Sequence, residues 1–376
     1  MSTYEKKMSS FRRLMAVVDD DGCPNRIPWS PELNQFFIER QLKERGIDPA
    51  KVTNSYVYMN NFIGADAICA SGFFRKTYSP DILIRQEKDG NEIRDIIETP
   101  RGILIKKSRW DEDACTAFQV EPMLKNANDF RIYEYVVKNT KVETDYESLL
   151  ELLATVGDEG IVTLSSPPTP FMDLLMNVQG PETAIYNLYD YSSEINKVME
   201  AMMDLDRNIY HLAAGAPSLE IVRPYEDTST MLTSPETFRK YCKPALREFA
   251  DILHAEGKKF VPHMCGHLLD ILKDLAEIGL DGVEAVTPPP LGNTTAMQMR
   301  KVTGKNFLVI GGIDPTRFSC YTLNQVSNMI REVLNEMRGD CKFILSCEEI
   351  SVMAPMENVM IVSRIIQEEF SDFYQV

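Results

Sequence analysis

The chain has 376 residues, of which 44% are hydrophobic, so it can bury the core of one large α/β barrel or of two average domains. Its formal net charge of −16 at pH 7 argues against nucleic acids and anionic membrane surfaces as partners, because both would repel it. Scattered cysteines, the absence of an apolar run of bilayer length and a polar N-terminus predict a soluble cytoplasmic protein with free thiols.

The N-terminal half offers three candidate strands, at Arg26–Trp29, Ala65–Cys69 and Ile161–Ser165. A segment of different character, residues 77–116, lies between the second and the third. It alternates short apolar runs around the turn Lys88-Asp89-Gly90-Asn91, a pattern that is typical of antiparallel hairpins. We therefore interpret this segment as an insertion into a larger fold.

The C-terminal half alternates short apolar runs with amphipathic stretches. Ser234-Pro235-Glu236 opens one of these helices and Gly257 follows its end, while Gly279 and Gly339 close two others. Strands that alternate with helices indicate a parallel sheet. The five predicted strands are Leu219–Val222, Lys259–Pro262, Gly282–Val286, Phe307–Ile310 and Lys342–Leu345.

Three strands in the first half and five in the second predict a (β/α)8 TIM barrel with an inserted antiparallel β-hairpin segment in its N-terminal half. No linker is rich enough in Gly, Ser or Pro to mark a boundary. We expect one barrel domain over residues 1–376, with the insertion at about 77–116.

A candidate metal site lies where predicted strands end. His263 and Cys265 end one strand and Cys347 ends the last, while Glu284 lies among apolar neighbours in the strand between them. Because catalytic groups of such barrels gather at the carboxyl ends of the strands, these side chains can meet. Two sulfurs and one nitrogen are a ligand set for a catalytic zinc with an open fourth position. Glu284 could fill that position or act as a base beside the metal.

A plainer interpretation is also open. His263 could be a hydrogen-bonded barrel histidine, and the cysteines could be small buried hydrophobic residues. Asp227 follows another predicted strand and should face the same mouth, although a helix-capping role fits equally and Glu226 is an equal candidate.

The second half of the chain resembles the uroporphyrinogen decarboxylase superfamily from about residue 215 to 362. Upstream, Asp227-Thr228-Ser229-Thr230 fits the same pattern, and Glu98-Thr99-Pro100-Arg101-Gly102 is similar to members of its methyltransferase branch. The principal matching segments are Val261-Pro262-His263-Met264-Cys265-Gly266-His267, Gly282-Val283-Glu284-Ala285-Val286-Thr287-Pro288 and Gly311-Gly312-Ile313-Asp314-Pro315.

The zinc-dependent corrinoid methyltransferases of this superfamily carry His, Cys and Cys, which match His263, Cys265 and Cys347. The resemblance implies methyl transfer between a small methylated substrate (a methyl ether, amine or thiol) and the cobalt of a corrinoid protein. The implied cofactors are Zn²⁺ and a corrinoid carried by that partner. Glu284 or Asp227 would tune or position the reacting group.

Two other functions fit the same fold. A metal-free decarboxylase of a porphyrinogen would need an N-terminal arginine-rich segment for the substrate carboxylates, and the arginines around Arg12-Arg13 and Arg26 lack that arrangement. A non-catalytic barrel that binds a corrinoid protein or a small ligand is the third possibility. The methyl donor, the acceptor and the direction of transfer stay open.

Overall fold

A computed structural model describes residues 8–19, 22–112, 115–217 and 221–375. The strands of these residues, in chain order, are β1 (Ala67–Ser71), β2 (Phe74–Tyr78), β3 (Leu83–Asp89), β4 (Glu92–Thr99), β5 (Gly102–Asp111), β6 (Thr116–Glu121), β7 (Thr140–Thr144), β8 (Gly160–Leu164), β9 (Ile221–Val222), β10 (Lys259–Phe260), β11 (Gly282–Val286), β12 (Leu308–Ile313) and β13 (Phe343–Cys347).

Helices connect the strands, and several begin at capping residues that the sequence shows. Ser234 caps α9, and Thr322 forms a capping box with Gln325 at the start of α14. The α-helices are α1 (Ser10–Val18), α2 (Gln35–Glu44), α3 (Ser55–Phe62), α4 (Ala127–Lys138), α5 (Tyr146–Val156), α6 (Pro170–Asp173), α7 (Pro181–Asp190), α8 (Ser192–Ala214), α9 (Pro235–Thr237), α10 (Lys243–His254), α11 (Leu272–Ile278), α12 (Ala296–Thr303), α13 (Thr316–Cys320), α14 (Leu323–Glu336) and α15 (Met356–Glu369).

Parallel strands form the barrel wall in the order β1-β8-β9-β10 and β11-β12-β13. A parallel bridge between His263 and Glu284 joins the two groups. On the other side, Trp29 bridges Leu345 of β13, and the Asp66 N–H donates to the Trp29 carbonyl at 2.7 Å, directly before β1. The wall therefore closes on itself through seven strands and the short segment around Trp29.

This arrangement confirms the predicted (β/α)8 TIM-barrel class. Each predicted strand of the wall lies within a few residues of an observed strand or, around Trp29, of a bridge. The first residues of the predicted strand Leu219–Val222 lie outside the described residues, and its described part is β9. That the whole chain is one domain stays a prediction.

The interior of the barrel is a compact apolar cluster. Alternate residues of the wall point inward, as the two-residue period of a strand requires. Helix α1 covers the amino-terminal end of the barrel with Leu14, Val17 and Val18, which leaves the carboxyl ends of the strands as the accessible mouth. The inward residues of the wall are Ile68, Ile161, Ile221, Val261, Leu308, Ile310 and Ile344.

The predicted insertion is an antiparallel sheet in the order β3-β4-β5-β6, with a turn at Gly90. Antiparallel strands extend beyond 77–116, because β2 pairs with β7. The sheet lies beside the barrel mouth. Trp110 packs on Phe36 with ring centroids 6.1 Å apart, and the Gln119 amide donates to the Gln179 carbonyl at 2.6 Å.

One pair of cysteines departs from the expectation of free thiols. A disulfide joins Cys23 to Cys341, which are 318 residues apart in the chain. Closure of the barrel brings the N-terminal segment next to β13, a proximity that residue spacing cannot reveal. Among the described helices, none is both long and apolar enough to cross a membrane.

Candidate metal centre

His263 lies at the centre of the mouth, with a different partner at each ring nitrogen. Its Nδ1 lies 2.5 Å from a Glu284 oxygen, and its Nε2 lies 3.3 Å from Asp227 Oδ1. The Cys265 thiol donates to the same Asp227 oxygen at 3.4 Å. The ligand atoms of Asp227, His263 and Cys265 all lie within 4.8 Å of one another, as do those of Glu32, His263 and Glu284.

Local backbone irregularities aim these side chains. Ala285, next to Glu284, has a φ of 69°, and the pairing of β11 with β12 shifts register there. Gly311 permits this bulge, since a Cβ at that position would lie 2.4 Å from the Val286 carbonyl oxygen. Asp227 has a φ of 43°. Such conformations are rare for residues other than glycine and concentrate at functional sites.

Buried charges fix the Glu284 side chain. Its Oε2 lies 3.0 Å from Arg223 Nη1 as well as against His263. Burial alone would raise the pKa of Glu284, but the positive charges of His263 and Arg223 lower it to about 2. Burial would lower the pKa of His263, yet Glu284 and Asp227 raise it well above its usual value. Without a metal, the two residues therefore form an ion pair.

Burial disfavours the charged form of the other acidic groups at the mouth, which include two thiols. Burial raises the pKa of Cys265 and of Glu348. For Glu32 and Cys347 burial again raises the pKa, and in both cases the negative charge of Glu284 adds to the effect. A bound divalent cation would lower these pKa values again, because it stabilises both thiolates and carboxylates. The chemistry of these donors therefore fits a zinc ion.

The predicted site residues are brought together to different degrees. The imidazole ring of His263 contacts the side chains of Cys265, Asp227 and Glu284. Cys347 is buried at the end of β13, at the same mouth, but it belongs to neither compact ligand set among the described residues. Asp227 does not cap a helix, since Ser234 caps the next one.

Sequence reasoning missed Glu32, Arg223 and Glu348 as parts of the site. Arg223 directly follows β9 and Glu348 directly follows β13, while Glu32 lies three residues after the bridging residue Trp29. That position at the carboxyl end of a strand was the available signal. Tyr225 was missed in the same way; its ring lies 4.9 Å from the His263 ring, and its hydroxyl donates to Glu32 at 3.1 Å.

Glu226 points away from this cluster, although it precedes Asp227. Its carboxyl group is fully buried and accepts hydrogen bonds from the Thr169 N–H at 2.7 Å and from the Thr169 hydroxyl at 2.8 Å. Burial raises the pKa of Glu226 to about 8. It is therefore a protonated structural acid at neutral pH.

We expect this acid to make stability fall as the pH rises. The folded chain keeps the Glu226 proton up to about pH 8, whereas the unfolded chain releases it near 4.5. Its stabilising contribution is complete below pH 4.5 and is lost by about pH 8, an effect of up to about 5 kcal/mol. Urea unfolding should show Glu226→Gln gaining stability relative to the unmodified protein between those limits. A difference that does not change with pH would contradict this assignment.

A family model described as uroporphyrinogen decarboxylase (URO-D) matches residues 119–369, which is more than half of the chain. The chain belongs to the uroporphyrinogen decarboxylase family. This match covers β8 to β13 and hence His263, Cys265, Glu284 and Cys347.

Curated relatives point to one branch of this family. The methylcobamide:CoM methyltransferase MtaA of Methanosarcina barkeri (strain Fusaro / DSM 804) is 24% identical over 215 residues, which are 54% of this chain and 60% of that protein. A second MtaA protein from Methanosarcina barkeri is 23% identical over the same share. The match thus spans less than two thirds of these relatives.

A solved structure supports the fold over nearly the whole chain. A methyltransferase from Methanosarcina mazei aligns with 97% of this chain and 100% of its own length, with a TM-score of 0.60 and 14% identity. At that identity the likeness shows the shared barrel fold.

Proposed function

We propose that the chain is a zinc-dependent methyltransferase that moves a methyl group between a small methylated substrate and the cobalt of a corrinoid protein. The observation that carries this proposal is the grouping of an imidazole, a thiol and carboxylates at the mouth of the barrel. The names of the curated relatives, methylcobamide:CoM methyltransferases, support the same reaction class.

In this proposal His263, Cys265 and Cys347 hold the zinc. Glu284 holds the imidazole through Nδ1, so that Nε2 faces Cys265 and Asp227. A carboxylate on the second nitrogen of a ligating histidine fixes the ring and its tautomer. We therefore assign Glu284 an orienting role in this geometry instead of the fourth ligand position.

A bound zinc ion supplies a Lewis acid to the heteroatom that carries or receives the methyl group. Asp227 lies beside Nε2 and the Cys265 thiol, where it can accept the proton that the thiol releases. The ring of Tyr225 packs on that of His263 and covers one side of the site. In the proposed function these residues take up a proton beside the metal site and shield that site from water.

The decarboxylase alternative needs cations for several substrate carboxylates. Arg223, which lies beside the His263 site, is already paired with Glu284, and the carboxyl groups of Glu32 and Glu348 lie close by. The site therefore favours methyl transfer over decarboxylation of a polyanion.

Zinc analysis and a methyl-transfer assay test the proposal together. We expect about one zinc per chain and methyl transfer from a methyl ether, amine or thioether to free cob(I)alamin, or from free methylcobalamin to a thiol, followed by the visible absorption of the cobalamin. Removal of zinc with a chelator should abolish methyl transfer while the circular dichroism spectrum persists. Unchanged methyl transfer by zinc-free protein, or release of carbon dioxide from a porphyrinogen, would contradict the proposal. Zinc binding without methyl transfer would indicate a non-catalytic barrel.

A further inference from the structure

The two edges of the inserted sheet differ in what covers them. At the β6 edge, the Gln119 side chain donates to the Gln179 carbonyl at 2.6 Å. Directly beyond that strand, the Met123 N–H donates to the Val178 carbonyl at 3.1 Å, so this edge is attached to the barrel. At the other edge, no strand of the described residues pairs with the outer side of β3. An edge strand in this state presents a row of backbone N–H and C=O groups to solvent.

Strand β3 also projects beyond the body of the protein. One face of the sheet packs against the rest of the chain, because Leu104 of that face is buried and Trp110 contacts Phe36. Ile84 belongs to the same face, since it pairs with Ile97 and Ile97 pairs with Leu104. Nevertheless Ile84 is exposed, as is every other residue of β3. The sheet therefore overhangs the barrel at β3, which leaves space for another strand beside it.

The turn that follows β3 determines which of its backbone groups point to the free edge. Asp89 faces Glu92 across a two-residue turn, so these two residues bond to each other, and bonding to β4 then alternates along the strand. The backbone groups of Ile84, Gln86 and Lys88 consequently point away from β4. They are the groups to which a further strand would bond.

The sequence of β3 is complementary to itself in an antiparallel arrangement. If Gln86 lies opposite Gln86 of a second copy, Arg85 of each copy lies opposite Glu87 of the other. These are non-hydrogen-bonded positions, where facing side chains are closest, and opposite charges there stabilise the pair. Charged residues on an edge strand usually prevent pairing, but in this register they attract one another.

The neighbouring symmetric registers lack this complementarity. A shift toward the turn places Lys88 opposite Lys88 and Glu87 opposite Asp89 of the second copy. A shift away from the turn places Glu87 opposite Asp81, and it places Lys88 opposite Pro80, which has no N–H to donate. Because like charges that face each other destabilise a strand pair, the register centred on Gln86 is favoured.

We propose that two copies of this chain form a two-fold dimer by antiparallel pairing of β3, with Gln86 at the symmetry axis. The two inserted sheets then join into one continuous sheet through about six backbone hydrogen bonds, with an Arg85–Glu87 ion pair on each side of the axis. One strand per copy makes a small interface, so the dissociation constant should be on the order of 10 µM. This inference is independent of the proposed methyltransferase function.

Sedimentation equilibrium of the full chain tests the dimer directly. Between about 1 and about 300 µM we expect monomer to be replaced by dimer. Protein that stays monomeric throughout this range overturns the inference. Association that continues beyond the dimer also overturns it, because a two-fold interface is closed.

Charge variants test the register. Arg85→Glu places glutamates opposite each other on both sides of the axis, so the dimer should be at least about tenfold weaker. Arg85→Glu combined with Glu87→Arg restores opposite charges across the axis and should return the dissociation constant to within about threefold of the unmodified value. Both variants lose the contact of Arg85 with Glu98 at 2.8 Å within the chain, so their comparison isolates the contact between copies.

Arg109→Glu is the matched control, since it makes the same change of charge at an exposed position of β5 away from the free edge. It should leave the dissociation constant within about threefold. An equal loss in Arg109→Glu and Arg85→Glu overturns the proposed register, and so does a failure of the double variant to restore the dimer.

A proline variant tests the backbone pairing itself. Gln86→Pro removes an N–H group that points away from β4, so each copy should stay folded by circular dichroism while the dimer is lost. Gln86→Ala keeps that N–H group and should retain the dimer within about threefold. A dimer that persists in Gln86→Pro would place the contact elsewhere on the chain and overturn the inference.

Discussion

Replacing Cys265 and Cys347 together with alanine is expected to remove zinc and to reduce methyl transfer on the order of a thousandfold, the contribution of several kcal/mol that a Lewis acid makes. The barrel should stay folded, because its core is the large apolar cluster of the wall and helices and not the metal site. Zinc analysis, methyl transfer and circular dichroism of the same preparation measure the three quantities.

A double variant with the same number of thiols removed provides the control. Cys115 lies directly before β6 of the inserted sheet and Cys320 is the exposed last residue of α13, so Cys115→Ala with Cys320→Ala should retain zinc and methyl transfer. Full zinc retention after loss of Cys265 and Cys347 would contradict the proposed site. An X-ray absorption spectrum of unmodified protein with only nitrogen and oxygen ligands would contradict it independently.

The regular parts of the fold were predictable because each rests on a local pattern. The apolar runs of the wall and the Ser234 cap coincide with observed elements. The pairing of β2 with β7 was not predictable, since it joins segments that a helix and three hairpins separate. The Cys23–Cys341 disulfide depends likewise on barrel closure.

Some parts of the candidate site could likewise be predicted from the sequence, and others could not. His263 and Cys265 stand two positions apart, so their common location could be predicted from the chain itself. Glu32 contacts the site because the Trp29 segment closes the wall against β13. The pairing of Arg223 with Glu284 joins residues that are 61 positions apart in the chain, and only the folded structure shows it.

The position of Glu284 between two cationic side chains predicts a large effect of its own. Glu284→Gln removes the negative charge that Arg223 and His263 share, which leaves the buried guanidinium without the carboxylate that it pairs with directly. Breaking a buried pair in this way costs about 3–5 kcal/mol, so urea unfolding of zinc-free protein should show a loss of that size. Zinc affinity, measured by competition with a chromophoric chelator, should fall about 10–100-fold because the imidazole loses its orienting carboxylate.

Glu349→Gln is the matched control for that variant. Glu349 lies two residues after Cys347 and can be changed to glutamine in the same way, but its side chain is exposed. It accepts a hydrogen bond from the Asn34 amide at 2.6 Å. Its stability change should lie within about 0.5 kcal/mol. Zinc affinity that is unchanged in Glu284→Gln would contradict the orienting role. Loss of an oxygen ligand from the X-ray absorption spectrum of that variant would instead make Glu284 a direct ligand, because an orienting carboxylate lies one shell further from the metal.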